Sequence, residues 1–555
     1  MKRVYNIILI LLLALFTVLN YKFLNNNIND IEYPKFIAED RPFGENLVSL
    51  PIKNCVAMLN SINVSSVVNN KKDDISNYSN EELCKKGNIE SYLTFGDLDG
   101  DFLSEVMFID NRGKISLYWN MGSTYKRDNY ISDNLSKYAF SEGSKGIFFF
   151  MDANNDKLND IILSPNSNRN NLLVIGNNGE RRFNVERPVS YQGELLIDQV
   201  PTNVTTDDIN KDGLADIIFT ISGNSAYPVR IFTSNINKEI SYIEETSKLF
   251  SSSIVSKNLN MYNYSTLVND FNLDGNLDLF ISGFYSNNFY IYKDNKFSLD
   301  LKNSIDERLI GVVLADYNKD GLLDIIATNN KSGSKGLVVL LANKNNIFSK
   351  IMSIYNSRLE NATGFANLDY NMDGYSDFFI GNKVLETNNN YKDSNFLRPY
   401  ILLGDKKLLK DETGEIFREL LLIEPTAIIA STDFNGDFKA DILLASEEMS
   451  KPHLLLNNTE GGNNSAALLV KGKGLGGSPL NGEGAIITVK IKDRPVQKFK
   501  LPSKISNYNS YSATAPIIIG LGDNEKALVE VLFPSGKLIK GTIYKDIINI
   551  IKEIK

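Results

Sequence analysis

The chain alternates short apolar runs with polar turns along most of its length. Typical runs lie at 148–150 (FFF), 312–314 (VVL) and 454–456 (LLL), and they are rich in aromatic and β-branched residues. Short, continuous apolar runs bounded by turns are typical of buried β-strands. The pattern therefore predicts an all-β body.

An acidic motif recurs between these runs. The pattern Asp-x-Asx-x-Asp-x-x-x-acid occurs seven times, and successive copies are 46 to 64 residues apart. An apolar run precedes and follows each copy, so the motif is expected to be a loop that joins two neighbouring strands. A repeat of this length with about four short strands is the unit of a β-propeller. We predict a seven-bladed β-propeller over residues 25–456, with a strand from residues 30–90 completing the last blade.

The composition of the motif indicates a calcium loop. Side chains at positions 1, 3 and 5 can point into one concavity, position 7 offers a carbonyl, and an acid closes the site at position 9. Hard oxygen ligands in a flexible loop suit Ca²⁺, and the loops contain neither Cys nor His, which argues against zinc or copper. The predicted ligands at positions 1, 3, 5 and 9 are Asp97, Asp99, Asp101 and Glu105; Asp152, Asn154, Asp156 and Asp160; Asp208, Asn210, Asp212 and Asp216; Asp270, Asn272, Asp274 and Asp278; Asp316, Asn318, Asp320 and Asp324; Asp369, Asn371, Asp373 and Asp377; and Asp433, Asn435, Asp437 and Asp441.

An EF-hand would need Glu at position 12 and flanking helices. Position 12 is apolar in all seven copies, so the motif is not an EF-hand. Metal-free, Asx-rich turns remain the alternative. Glycine at position 6 permits a sharp turn in the loops that begin at 208, 270, 316 and 369. Phe102, Lys157 and Phe438 replace it in the other three, which are expected to bind calcium less well.

The N-terminus carries an export signature. Lys2 and Arg3 precede an apolar run that extends to about residue 24, with no clear cleavage site after it. Such a run can span a bilayer, and the basic residues favour the cytosolic side for its short end. We predict a signal anchor over residues 1–24, with a cleaved signal peptide as the alternative. The bulk of the chain would then lie at the cell surface or in a lumen, where N-glycosylation at scattered sequons and a Cys55–Cys84 disulfide are open possibilities.

Charge and missing motifs narrow the function. The formal net charge of −8 argues against sequence-independent nucleic-acid binding. The chain has one histidine, His453, no Ser/His/Asp set and no HExxH motif. The stretch 472–477 fits G-x-G-x-x-G, but no helix is expected after it, so we interpret it as a loop. The sequence therefore favours a binding protein over an enzyme.

The seven motifs resemble the FG-GAP (VCBS) repeats of integrin α-subunit propellers, in which the calcium loop joins strands within a blade. Residues 457–555 resemble the ASPIC/UnbV-like domain through the segments LLV (468–470), NGEGA (481–485), IGLG (519–522) and FPSG (533–536), and are expected to form a small β-sandwich. FGDLDGD (95–101) and SATAP (512–516) are similar to the T-cell immunomodulatory protein (TIP) family; cartilage-acidic-protein-like chains share the same two parts.

These observations give a leading hypothesis and two alternatives. The leading one is a calcium-stabilised, membrane-tethered module that binds a protein or glycan in adhesion or as a receptor. The face opposite the calcium loops or the C-terminal domain would carry the ligand. The alternatives are a secreted structural matrix protein and a hydrolase with a pocket on the propeller axis.

Overall fold

The computed structural model describes residues 36–39 and 92–554, with internal gaps. The gaps are 110–113, 123, 139–146, 166–170, 193–198, 238, 252–259, 262, 284–285, 330, 332–335, 345, 356–361, 383–399, 405–408, 412–427, 446–451, 460–462, 503–509 and 512–513. The predicted anchor, Cys55 and Cys84 lie outside the described residues. The described part is almost entirely β-structure, so the all-β prediction is confirmed.

Seven antiparallel sheets each contain four main strands that pair in order. The apolar side chains of the short runs are buried. Sheets 1 to 3 contain β2 (Tyr92–Gly96), β3 (Glu105–Ile109), β4 (Ile115–Asn120) and β5 (Tyr125–Asp128); β6 (Phe148–Met151), β7 (Asp160–Leu163), β8 (Asn171–Ile175) and β9 (Val189–Gln192); and β10 (Gln199–Asp207), β11 (Asp216–Asn224), β12 (Val229–Asn237) and β13 (Glu239–Glu244). The short strand β14 (Asn260–Met261) also pairs with β11. Two short helices, α1 (Asn129–Leu135) and α2 (Thr246–Leu249), follow β5 and β13.

The next four sheets repeat this arrangement. They contain β15 (Asn263–Asn269), β16 (Asp278–Gly283), β17 (Asn287–Lys293) and β18 (Lys296–Ile305); β19 (Leu309–Ala315), β20 (Asp324–Asn329), β21 (Gly336–Asn343) and β22 (Asn346–Tyr355); β23 (Ala362–Leu368), β24 (Asp377–Asn382), β25 (Tyr400–Gly404) and β26 (Leu409–Asp411); and β27 (Ile428–Thr432), β28 (Asp441–Ala445) and β29 (His453–Asn457) with β1 (Phe36–Glu39).

The strand β1 supplies the fourth position of sheet 7. It runs antiparallel to β29, with Phe36 opposite Asn457 and Glu39 opposite Leu454. An N-terminal strand therefore completes the last sheet, as the shortage of residues before 457 predicts.

Buried side chains connect the seven sheets in order. Separate apolar clusters join sheets 1 to 3, then 3 to 4, 4 to 5, 5 to 6 and 6 to 7. A further cluster joins sheet 7 back to sheet 1, where the rings of Phe95 and Phe434 lie 5.6 Å apart between centroids. The first strands of sheets 1 and 2 contact each other, as do those of consecutive sheets from 3 to 7, and serine or threonine occurs on the first strands of sheets 1, 3, 4, 6 and 7.

Two further sheets enclose a separate core after residue 463. One contains β30 (Asn464–Lys471), β34 (Ile517–Gly522) and β37 (Ile548–Lys552); the other contains β31 (Ile486–Lys490), β32 (Gln497–Lys500), β35 (Lys526–Leu532) and β36 (Leu538–Tyr544). Alternating residues of both sheets, such as Leu468, Ile487 and Val529, pack between them. The short strand β33 (Ser510–Tyr511) leaves these two sheets and pairs in parallel with β2 of sheet 1.

Candidate calcium loops

Each acidic motif joins the first strand of a sheet to the second. The motif between β2 and β3 is loop 1, and the other six occupy the same position in sheets 2 to 7. The prediction that the motif joins neighbouring strands is therefore confirmed for all seven copies. Because the sheets follow one another in the same orientation, the loops gather on one face, called the loop face here.

All seven loops share one backbone conformation, with a positive φ at positions 4 and 6. At position 4 these residues are Gly100, Asn155, Lys211, Leu273, Lys319, Met372 and Gly436; at position 6 they are Phe102, Lys157, Gly213, Gly275, Gly321, Gly374 and Phe438. Position 6 was expected from the glycine pattern, whereas position 4 was not. Loops 1 and 7 have their glycine at position 4, so loop 2 is the one with no glycine at either point.

The carboxylate at position 1 of each loop accepts backbone hydrogen bonds that fix the turn. In loop 4 the Asp270 carboxylate accepts hydrogen bonds from the amides of Asp274, at 3.0 Å, and Gly275, at 2.8 Å. Equivalent bonds form in the other loops, for example from Lys157 to Asp152 at 2.8 Å. A carboxylate that accepts backbone N–H bonds is fixed in direction, so position 1 is oriented before any ligand arrives.

The acid at position 9 is deeply buried in every loop and bonds to backbone at both ends. Asp278 accepts from the amide of Phe271 in the loop, at 3.1 Å, and from that of Tyr292 on the third strand, at 2.9 Å. Glu105 makes the equivalent contacts with Leu98 and Asn120. Position 9 therefore fastens the loop to two strands. Each carboxylate oxygen has two lone pairs, so these bonds leave acceptor capacity for a cation.

Carboxylate oxygen atoms converge in loop 1. Asp97, Asp99 and Glu105 each place one carboxylate oxygen within 4.8 Å of the others. In loop 4 the side-chain nitrogen of Asn272 donates to the Asp274 carboxylate at 3.0 Å, and the Asn272 side-chain oxygen accepts from the backbone amide of Asp274 at 3.0 Å. Asp316 Oδ1 is buried without a hydrogen-bond partner in the part of the chain that the structure describes. Convergent, partly unsatisfied oxygen atoms with no nitrogen or sulfur ligands fit a calcium ion.

Burial raises the pKa of the acid at position 9 in every loop and that of Asp369 at position 1, and the neighbouring acids raise it further. The pKa of Asp278 rises to about 7, that of Asp369 to about 8 and that of Glu105 to about 9, with desolvation as the largest cause in each case. Without a cation these groups resist ionisation at neutral pH. A divalent ion would remove the penalty by pairing with the charged form.

These pKa shifts predict a pH dependence in EDTA. The folded chain binds more protons than the unfolded chain, whose aspartates titrate at about 3.9, so folding stability falls as pH rises from there through the folded-state pKa values of about 7 to about 9. We expect a lower melting temperature at pH 7.5 than at pH 5.5 in EDTA, and a much smaller difference in millimolar calcium. Melting curves at four pH values would test this, and an EDTA curve that rises with pH would contradict it.

An arginine side chain forms an ion pair with the first loop, and the sequence analysis did not predict it. Arg181, which lies between β8 and β9, contacts Asp99 at 2.7 Å and stacks on Trp119 at 5.0 Å from the ring centroid. Loop 1 has four acids where the others have three, and Arg181 offsets the additional charge. The residues are 82 positions apart in sequence, so no local pattern could indicate the pair.

The C-terminal part rests on the loop face, and its donors contact loop carbonyls. Lys498 Nζ donates to Gly321 O at 2.7 Å, and the amide of Gly476 donates to Asp212 O at 3.1 Å. Arg494 donates to Asp373 O at 3.1 Å. Further donors reach loops 6 and 7. The region after residue 463 therefore covers much of the loop face.

The same region closes the central opening of the ring on that face. Lys500, buried at the end of β32, forms an ion pair of 2.5 Å with buried Asp207 and donates to Val268 O at 2.9 Å. Phe499 and Pro516 line the small cavities that remain against the first strands of sheets 3 to 7. The hydroxyl of Thr432 donates to Pro516 O. The part of the C-terminal region that closes the opening, which contains Phe499, Lys500 and Pro516 and is called the plug here, is therefore hydrogen-bonded to the ring.

Other sequence features have structural positions. His453 begins β29 opposite Leu444. The glycine stretch 472–477 is a turn against loop 3, as the loop interpretation predicts. Asn134 and Asn203 are buried, so the folded chain exposes neither sequon to a glycan, while Asn63 and Asn361 lie outside the described residues. In the ranges that the structure describes, no helix is long and apolar enough to cross a membrane.

The loop geometry predicts an order of affinities. Asp274→Ala should remove more bound calcium than Asp156→Ala when calcium is limiting. Both changes remove the carboxylate at position 5, but loop 2 also has Lys157 at a φ of +79° and carries an additional positive charge. Equilibrium dialysis would count the ions, and Lys157→Gly should make the two losses more alike. Equal losses in the parent chain would show that position 6 does not set the affinity.

Comparison with known proteins supports the repeat assignment over part of the chain. Residues 270–327, which contain loops 4 and 5, match the FG-GAP-like repeat. Human cartilage acidic protein 1 is 25% identical over 254 residues, or 44% of this chain and 36% of that protein. The chain thus aligns with about a third of that relative's length.

Solved structures with similar folds include an Agrocybe aegerita lectin that recognises non-reducing terminal N-acetylglucosamine, at a TM-score of 0.40 and 14% identity over 65% of this chain and 86% of that one. The BBS1N chain in complex with ARL6DN has a TM-score of 0.39 and 11% identity over 67% and 94% of the two chains.

Proposed function

We propose that this chain is a calcium-binding, seven-bladed propeller that is tethered to a membrane and binds a protein or glycan outside the cytosol. The observation that carries the proposal is the set of seven loops with one backbone conformation, in the first of which three carboxylates converge. The circuit of core clusters from sheet 1 to sheet 7 and back supports seven blades. The FG-GAP match covers two of the seven loops.

Because the C-terminal region covers much of the loop face, we expect a ligand of the ring to bind another surface. Donors from residues 463–522 contact loop carbonyls, and Phe499 and Lys500 fill the opening between the first strands. A ligand of the ring would therefore bind the opposite face, whose connections join the second strand to the third and the fourth strand to the next sheet. The plug also counts against the alternative of a hydrolase with an axial pocket entered from the loop face.

The ligand class can be tested with the full chain in detergent. Glycan arrays and arrays of extracellular proteins would be probed in millimolar calcium and again in EDTA. We expect binding that requires calcium and that Lys302→Glu in β18 of the ring weakens more than Lys526→Glu on the C-terminal region does. Binding that depends on Lys526 alone would place the ligand on the C-terminal region, and no binding on either array would count against an adhesive role.

The membrane tether rests on the sequence of residues 1–24. We expect a tag after Lys555 to be protected from protease in sealed microsomes and a tag before Met1 to be digested, because Lys2 and Arg3 favour the cytosolic side. Loss of the N-terminal tag as a cleaved fragment would favour the secreted matrix protein instead. Digestion of the C-terminal tag would refute the orientation.

The resemblance to the TIP family belongs to the same proposal. It rests on the segments 95–101 and 512–516, the first of which is the start of loop 1. Cartilage-acidic-protein-like chains were the neighbouring resemblance, and human cartilage acidic protein 1 is 25% identical to this chain over 254 residues.

A further inference from the structure

Loop 6 accepts hydrogen bonds from the C-terminal region at three consecutive carbonyls. The bonds reach positions 3, 4 and 5 of the loop: Asn463 donates to Asn371 O at 2.8 Å, the amide of Gly522 to Met372 O at 2.9 Å, and Arg494 to Asp373 O at 3.1 Å. None of these is the carbonyl at position 7, which the motif offers to calcium. Docking of the C-terminal region and metal binding therefore use different atoms of one loop.

The C-terminal region also lies directly against the first acid of this loop. A Cβ on Gly520 of β34 would be 2.0 Å from Asp369 Oδ2 and 2.6 Å from the backbone of Met372, so a larger residue would push the two parts apart. Asp369 is 7% exposed, and Asp377 at position 9 is 0% exposed. These acids of loop 6 are thus enclosed between the ring and the C-terminal region.

Loop 4 has the same motif but an open tip. Its residues Leu273, Asp274 and Gly275 are exposed, and a Cβ on Gly275 would meet no other atom within 4 Å. Among the described hydrogen bonds, none joins loop 4 to the C-terminal region, and Lys211 of loop 3 donates to Gly275 O at 3.2 Å. Both loops have Asp at positions 1, 5 and 9, Asn at position 3 and Gly at position 6. They therefore differ in their surroundings and not in their predicted side-chain ligands.

We propose that loop 6 is an occluded calcium site covered by the C-terminal region, whereas loop 4 is an open site whose ion exchanges readily with solvent. This difference rests on the proposed calcium function and extends it to individual loops. The bonds to positions 3, 4 and 5 fix the tip of loop 6 before the ion arrives, so less conformational freedom is lost on binding. Buried carboxylates also attract an ion through a less screening medium than exposed ones do. Because the C-terminal region must move before the ion can leave, exchange from loop 6 is slow.

The same contacts let calcium strengthen the docking of the C-terminal region. If docking raises the affinity of loop 6 for calcium, calcium in loop 6 favours docking by the same factor. Two cations offer another way to neutralise the loop: Arg494 contacts its tip, and Lys319 of loop 5 interacts with the charge of Asp369. If these side chains took the place of calcium, loop 6 would hold no ion, and a count of bound calcium decides between the two.

Isotope exchange on the full-length chain separates the two kinds of site. The chain is purified in detergent, loaded with radioactive calcium and then mixed with an excess of unlabelled calcium. We expect a fast and a slow phase that differ by about tenfold or more in rate, since affinity differences between related sites are mostly differences in dissociation rate. Asp274→Ala should remove one ion from the fast phase. Asp373→Ala, the matched change at position 5 of loop 6, should remove one ion from the slow phase.

Two further variants keep every predicted ligand of loop 6. Arg494→Met removes a donor to the loop tip, and Gly520→Ala places a methyl group against Asp369. Each should retain the total count at saturating calcium and move the loop 6 ion from the slow phase to the fast phase. Lys526→Met, at an exposed position of β35, is the control and should change neither phase. A single cooperative melting transition in calcium would show that each variant is folded.

The possible outcomes separate the occluded site from the proposed function. A parent chain that binds no calcium would reject both. Three results would overturn the occluded site while calcium binding stands: loss of both ions from the same phase, an unchanged count in Asp373→Ala, or a slow phase that neither Arg494→Met nor Gly520→Ala alters.

Discussion

Calcium is expected to raise the melting temperature of the chain by about 10 °C or more over its value in EDTA. An ion that binds only the folded state stabilises it by about 2.7 kcal/mol for each site at a hundred times the dissociation constant, and several loops contribute together. The loops hold carboxyls whose pKa burial raises, so the folded chain without metal keeps an electrostatic penalty that calcium removes.

The measurement is a set of melting curves of the full chain in EDTA, in millimolar magnesium and in millimolar calcium. Magnesium requires a near-octahedral site and dehydrates reluctantly, so it should give a smaller shift than calcium. Coincident curves in EDTA and calcium would reject metal binding as a source of stability. The metal-free, Asx-rich turn would then be the better description of all seven loops.

Local sequence was sufficient for the repeating part of the fold. Each motif contains its own acids, and the two strands flank it directly, so the loop, the strand pair and the positive φ at position 6 follow from adjacent residues. The closing strand was predicted from a shortage of residues in the last repeat, and β1 occupies that place. Position 4 was missed because Asn, Lys, Leu and Met at this point give no glycine signal.

Contacts between distant residues were beyond sequence reasoning. Lys500 and Asp207 form a buried ion pair across 293 positions, and neither belongs to a recognisable motif. The docking of the C-terminal region uses loop carbonyls, which every residue type provides, so composition cannot indicate it. The role of position 9 also changed. It was predicted as a ligand, and the structure adds a backbone clamp that joins the loop to the third strand.

Because Asp278 makes these backbone hydrogen bonds and Asp274 does not, the two acids of the same loop should differ in their effect on stability. We expect Asp278→Ala to lower stability by about 1–3 kcal/mol or more even in EDTA, because the buried amide of Phe271 loses its acceptor at that cost and the partly buried amide of Tyr292 loses one as well. Asp274→Ala should have little effect in EDTA, since Asp274 is exposed and its carboxylate accepts only exposed hydrogen bonds in the described loop, from the amide of Asn276 and the side chain of Asn272.

The two variants should differ in the opposite direction in how much of the calcium-induced rise in melting temperature they lose. Asp274→Ala should lose part of the calcium-induced rise in melting temperature, because position 5 faces the cation and makes a smaller contribution to the loop without it. Asp278→Asn is the matched control: it keeps one carbonyl acceptor, and its EDTA melting temperature should lie between those of the parent chain and Asp278→Ala. Melting curves of the three variants with and without calcium decide the matter. Equal losses for Asp278→Ala and Asp274→Ala in EDTA would show that the backbone bonds of position 9 do not stabilise the sheet, and that its acid serves the metal alone.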